Sequence, residues 1–240
     1  MHQATYMRFG SILLLALSAC STSYADPPPS KQFEHDMMAR FHMHESYALF
    51  GTIEHLLVHG KLGEARDLAR SIGVAPDEAG LSAWATQAAL VRDRATALAN
   101  ATSVDEACRK AAKLAEACAS CHVDTNAVPE FRVPPELPPN RPTLDARMTR
   151  HVWAVERVRE GVIGAVEEPW QAGLDVLAQA PFPWPADDAD RAPLGRRIHD
   201  VADRARKRGA TDTSADRATT YGELLVTCAG CHALADKPKR

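Results

Sequence analysis

The stretch EACASCHVD, residues 116–124, holds Cys118, Cys121 and His122, and VTCAGCHAL, residues 226–234, holds Cys228, Cys231 and His232 in the same spacing. On a helix, positions i and i+3 share a face and i+4 lies beside them, so the two thiols and the imidazole of each copy address one ligand. That geometry suits haem, because two thiols can add to its two vinyl groups while the adjacent imidazole reaches the iron. Cys-x-x-Cys-His is the attachment signature of c-type haem, and two copies predict two covalently bound haems with iron held by His122 and His232. The rivals account for less. Paired Cys-x-x-Cys units build zinc sites at separations of roughly 12 to 20 residues, whereas Cys118 and Cys228 stand 110 residues apart. A thioredoxin-like dithiol needs a βαβ setting, and a structural disulfide would not require His after both pairs.

Outward from the motifs, both flanks read as helical. The segment VPEFRVPPELPPNRP, residues 128–142, carries six prolines that forbid a continuing helix. It divides the chain into a first unit over 30–126, a linker over 127–143 and a second unit over 144–236. Each unit is rich in Ala, Leu, Glu and Arg with apolar residues at helical spacing, which predicts an all-α fold. Helices are expected near 32–59, 61–72, 77–99 and 103–122, the last opened by Ser103 with Glu106 in the capping-box position. In the second unit they are expected near 144–167, 169–180, 187–208 and 213–232, with Pro169 at a helix start and PFPWP at 181–185 as a breaker. The architecture expected is two tandem four-helix bundles, each ending in a Cys-x-x-Cys-His helix. An early Arg-x-x-x-His recurs as well, Arg40 to His44 and Arg147 to His151. His44 precedes Cys118 by 74 residues and His151 precedes Cys228 by 77, so one internal repeat explains all the landmarks.

At 240 residues, 45% hydrophobic and 25% charged, the composition is that of an ordinary globular chain and excludes a disordered or fibrous one. A net charge of only −3 implies neither nucleic acid nor an anionic membrane surface as partner. Residues 1–25 read as an export signal: Arg8 supplies positive charge and ILLLALSA at 12–19 the short apolar core. LSAC at 17–20 resembles a lipoprotein box, with Cys20 as the lipidated residue and DPPPS at 26–30 as a spacer, while SYA at 23–25 resembles an ordinary cleavage site. The expected address is the periplasm, either soluble or anchored to the outer membrane through Cys20.

Placement of the motif late in each helical unit resembles the class II cytochromes c, the cytochrome c′ family, whose last bundle helix carries the haem. The resemblance rests on CASCH and CAGCH, with the early Arg of each first helix in support, and it implies a tandem, dihaem form. In that family a first-helix residue about four after the early Arg faces the open side of the iron, apolar in gas binders and Met in electron carriers. The corresponding residues here are His44 and His151, a departure that implies bis-His ligation. Aligning apolar positions instead pairs His151 with His42, and His42 and His44 cannot face the same way. Met38, Met43 and Met148 read as packing, Cys108 as a small buried residue, and Trp84, Trp153, Trp170 and Trp184 as core or pocket packing. His35, His55, His59 and His199 read as surface or hydrogen-bonded residues, and RARKR at 204–208 as a solvated face.

The function expected is electron transfer between exported redox partner proteins, since a second strong ligand closes the iron to gases. The alternatives are a gas-binding protein and a haem subunit of a redox enzyme. No nucleophile or general-base cluster is legible, so a carrier is expected in preference to an enzyme. Class II bundles pair through their first helices, which implies either a homodimer or the same contact made within one tandem chain.

Overall fold

The computed structural model of the protein describes residues 31–73, 84–127, 129, 131–132, 134–179 and 189–235. The export signal, Cys20, the beginning of the third expected helix, PFPWP and Trp184 lie outside the described residues. Among the described residues there are eight α-helices and no strand: α1 Lys31–Val58, α2 Leu62–Gly73, α3 Ala85–Ala99, α4 Val104–Asp124, α5 Leu144–Ile163, α6 Glu167–Leu177, α7 Arg191–Arg208 and α8 Ser214–Ala235. No described helix is long and apolar enough to cross a membrane.

The two motif helices begin alike. Ser103 Oγ accepts from the Glu106 N–H at 3.2 Å, and the Glu106 carboxylate accepts the Thr102 N–H at 2.7 Å, one residue before the cap. At the start of α8, Thr213 Oγ1 accepts from the Asp216 N–H at 3.2 Å, and the Asp216 carboxylate accepts the Thr213 N–H at 3.0 Å. Thr213 and Asp216 stand 110 residues after Ser103 and Glu106, the same separation as the motifs. Each helix therefore carries its first motif cysteine fifteen residues beyond its cap, with its orphan N–H groups satisfied reciprocally.

The fifth helix ends four residues earlier than the sequence predicts, and packing is the reason. A methyl group at Gly161 would lie 2.5 Å from the Trp170 Cβ, so the chain must fold back here for α6 to lie against α5. The turn passes through Ala165 at φ 54°, and Pro169 takes the third position of α6. Arg217 on α8 donates to the carbonyls of Gly161 at 3.2 Å and Val166 at 3.1 Å, placing a cation where the α5 carbonyls run out of partners. Farther along the hairpin, a methyl at Gly173 would sit 2.5 Å from the Ala154 carbonyl oxygen. Gly173→Ala is expected to cost about 1–3 kcal/mol through overpacking, read as a lower urea midpoint.

Consecutive helices neighbour one another within each half, and α4 lies along α8 in the most extensive contact between the halves. One hydrophobic core runs through both: Ile53, Leu57, Leu98 and Leu114 from the first, Val158, Val162, Trp170, Leu174 and Leu225 from the second. The seam follows an approximate two-fold relation, in which a position meets its own equivalent. Gly222 faces Ala112, its counterpart 110 residues earlier, at a spacing a Cβ would close to 3.2 Å. Counted from the ends of α1 and α5, Val58 and Ile163, Glu54 is equivalent to Arg159, and the two form an ion pair at 3.3 Å. The proline-rich connection is strapped to α5, its Pro135 carbonyl accepting from Trp153 Nε1 at 2.8 Å and its Pro138 carbonyl from Arg150.

Candidate functional site

Cys118, Cys121 and His122 occupy the C-terminal turns of α4, and Cys228, Cys231 and His232 those of α8. None of the four motif cysteines is in a disulfide, and all four are half-buried, with Cys118 and Cys228 packed against the core. Burial pushes the Cys118 and Cys228 thiols up to about 12 and raises Cys121 as well. These are protonated thiols in apolar surroundings, unlike the electropositive setting of a reactive thiolate. Among the described residues no three His, Cys, Asp or Glu side chains come together to hold a metal ion. The two motifs stand at the ends of two different helices.

His122 shows how its imidazole is used. Its Nδ1 lies 3.0 Å from the carbonyl oxygen of Ile163, the last residue of α5. A carbonyl only accepts, so Nδ1 carries the hydrogen and donates. Burial lowers the affinity of this ring for a further proton, which leaves Nε2 with a free lone pair, the form in which histidine binds a metal. At the other end His232 meets the first half in the same place: His59, the residue following α1, packs edge-on against it with ring centroids 4.7 Å apart. His55, one turn earlier, lies 4.5 Å from His59. Each motif histidine is therefore reached by the C-terminal end of the opposite half's first helix.

No family model, curated protein or solved structure matches the chain. Its chemistry has to be read from its own residues.

On α5 the inward stripe is Arg147, His151, Ala154, Val158 and Val162, with the last three fully buried. Burial, reinforced by the charges of Arg147 and Arg150, lowers His151 to about 4, so it stands neutral. On α1 the corresponding stripe is Ala39, His42, Ser46, Phe50, Ile53 and Leu57. His42 is half-buried on it; His44, two residues on, is exposed on another face. Counted from the helix ends, the counterpart of His151 is Ser46, and His42 lies one turn before that position.

Some of the surroundings would suit a haem. The Nε of Arg147 is buried with no hydrogen-bond partner among the described residues, close enough to His151 for its charge to be felt there. A carboxylate beside His151, such as a haem propionate, would satisfy it. Met38, Phe41 and Met43 flank His42 and His44 with large exposed apolar side chains, and exposed Val123 and Val152 follow His122 and His151. These are the surfaces an apolar macrocycle covers.

The remaining readings divide. Cys108 is fully buried, with its thiol raised to about 12 by burial. Trp170 is core, Trp153 holds the connection, and Trp84 is half-buried. His199 Nδ1 donates to the Gln179 carbonyl at 2.9 Å. Within RARKR, Arg204 pairs with Glu223, Arg206 with Asp203 and Asp175, Lys207 with Asp203 and Arg208 with Asp212, so this stretch is neutralised by its neighbours. His55 and His59 are exposed, as the sequence reading has them; their packing in a row with His232 was signalled there by nothing but their i, i+4 spacing at a helix end.

Proposed function

We propose that the chain is a tandem, dihaem c-type cytochrome of the class II kind, built as two four-helix bundles and carrying electrons between exported redox proteins. The observation that carries this reading is the hydrogen bond from His122 Nδ1 to Ile163, which fixes the tautomer with Nε2 available beside Cys118 and Cys121 on one helix face. Cys118 and Cys121 would hold one haem with His122 as ligand; Cys228 and Cys231 would hold the other with His232. When bound, the two haems supply reversible one-electron chemistry. His151, kept neutral by burial and the neighbouring arginines, is the second ligand at its site. In the first half the inward stripe of α1 favours His42 over His44.

A pyridine haemochrome assay on the mature protein tests the larger claim, with two haems per chain expected and none or one overturning it. His42→Ala is expected to convert one low-spin haem to a high-spin, carbon-monoxide-reactive form, while His44→Ala leaves both low-spin; electron paramagnetic resonance and the reduced optical spectrum read the difference. Spectra of the unaltered protein that are five-coordinate and shift with carbon monoxide would favour gas binding. Mass measurement of the exported protein reports whether Cys20 is acylated, and so whether it is anchored.

A further inference from the structure

The two motif histidines are held by different partners. His122 meets a backbone carbonyl at the end of α5, which no side-chain substitution removes. His232 meets the ring of His59 at the end of α1, at 4.7 Å between centroids and 80° between planes. His59 is in turn backed by His55 at 4.5 Å, so the three rings stand in a row. Groups that touch a metal-ligating histidine from its far side set its orientation and its strength as a ligand, and through them the potential of the metal.

His59 is not placed to be the opposite ligand of the same iron. Two imidazoles on either side of one iron, each bonded at about 2.0–2.1 Å, would have ring centroids roughly 6 Å apart and on a common axis. The observed pair is closer and edge-on, so His59 stands on the His232 side of the site.

Resting on the dihaem reading, we infer that His59 is a positioning residue for His232 and tunes the second haem alone, making the two haems electronically unequal. The contact is a ring packed against a ring, so its effect depends on a planar side chain at position 59. The first site, held by a main-chain carbonyl at the far end of α5, has no such dependence.

The test uses the full mature protein carrying His59→Ala or His59→Phe, with haem counted by pyridine haemochrome, midpoints by redox titration and ligand-field symmetry by electron paramagnetic resonance. In His59→Ala, with two haems still bound, one of the two midpoints is expected to shift and one of the two low-spin signals to change shape, the other haem staying as it was. His59→Phe, which restores an edge-to-face contact, is expected to return that signal toward its original shape. Unchanged midpoints and signals in His59→Ala, equal shifts at both haems, or a Phe variant identical to the Ala variant would each overturn the inference. An unaltered chain that binds no haem would instead overturn the reading beneath it.

Discussion

Replacing Cys118 and Cys121 together by serine is expected to lower covalent haem from two to one per chain, and replacing Cys228 and Cys231 to do the same at the other site. On the dihaem reading the loss would be all-or-none, because serine oxygen does not supply the thioether that the attachment signature requires. Haem-specific staining and the mass of the intact chain read it directly. The chain should still fold. The cores of α4 and α8 are carried by Ala107, Ala111, Leu114 and Ala115 on one side and Ala218, Tyr221, Leu224 and Leu225 on the other, all buried and all distinct from the motif. Cys108→Ala is the matched control. Its thiol is fully buried one helix turn or more before the motif and raised to about 12, so this variant is expected to keep two haems. A zinc or dithiol reading expects something else, namely a metal or redox defect in the absence of any haem loss. Should Cys108→Ala lose a haem while the paired serine variants keep both, the assignment of the motifs would be wrong.

The motif helices were readily legible as helices, the Ala- and Leu-rich stretches before each Cys-x-x-Cys-His running unbroken to it. The all-α class was legible for a similar reason, since the stripe from Ile53 to Leu57 and that from Val158 to Val162 recur at helical period. The Ser103 cap was readable from its Glu106; its twin at Thr213 was passed over because Asp216 is shorter than the Glu or Gln the capping pattern calls for. The end of α5 was not legible. It is set by Trp170 closing on Gly161 and by Arg217 arriving from α8, contacts that join residues far apart in sequence. The choice between His42 and His44 was hard to read for a different reason: distance from Arg40 carries no helical phase, whereas the burial of Ala39, Phe50 and Ile53 does. Charged residues were read as surface by default, and that default hid the seam between the halves.

At that seam Glu54→Ala is expected to destabilise the protein by about 3–5 kcal/mol, the cost of leaving one member of a buried ion pair without its partner. Glu54 accepts from Arg159 at 3.3 Å and from the buried Tyr221 hydroxyl, while Arg159 lies 5.2 Å over the Tyr47 ring and 3.4 Å from its hydroxyl. Three helices, α1, α5 and α8, meet in this cluster. Positions 54 and 159 are equivalent by the approximate two-fold relation, so two identical subunits would bring like charges together here. A single chain escapes that constraint: one half carries Glu and the other Arg. Burial raises the Glu54 carboxyl despite the opposing charge of Arg159, and the sign of its pH dependence follows. An acid whose folded value lies above its unfolded one contributes stability below the ordinary carboxylate range, and loses it as pH rises through the raised value. Glu54→Gln, which keeps a hydrogen-bonding group opposite Tyr221, is therefore expected to cost less than Ala and to remove that slope. The double variant Glu54→Leu with Arg159→Met should recover most of the loss, since apolar groups of similar volume replace a buried pair with little penalty. Urea unfolding of the four proteins at several pH values decides it. A double variant no more stable than Glu54→Ala would show that Glu54 and Arg159 act separately and that the ion pair does not join the halves.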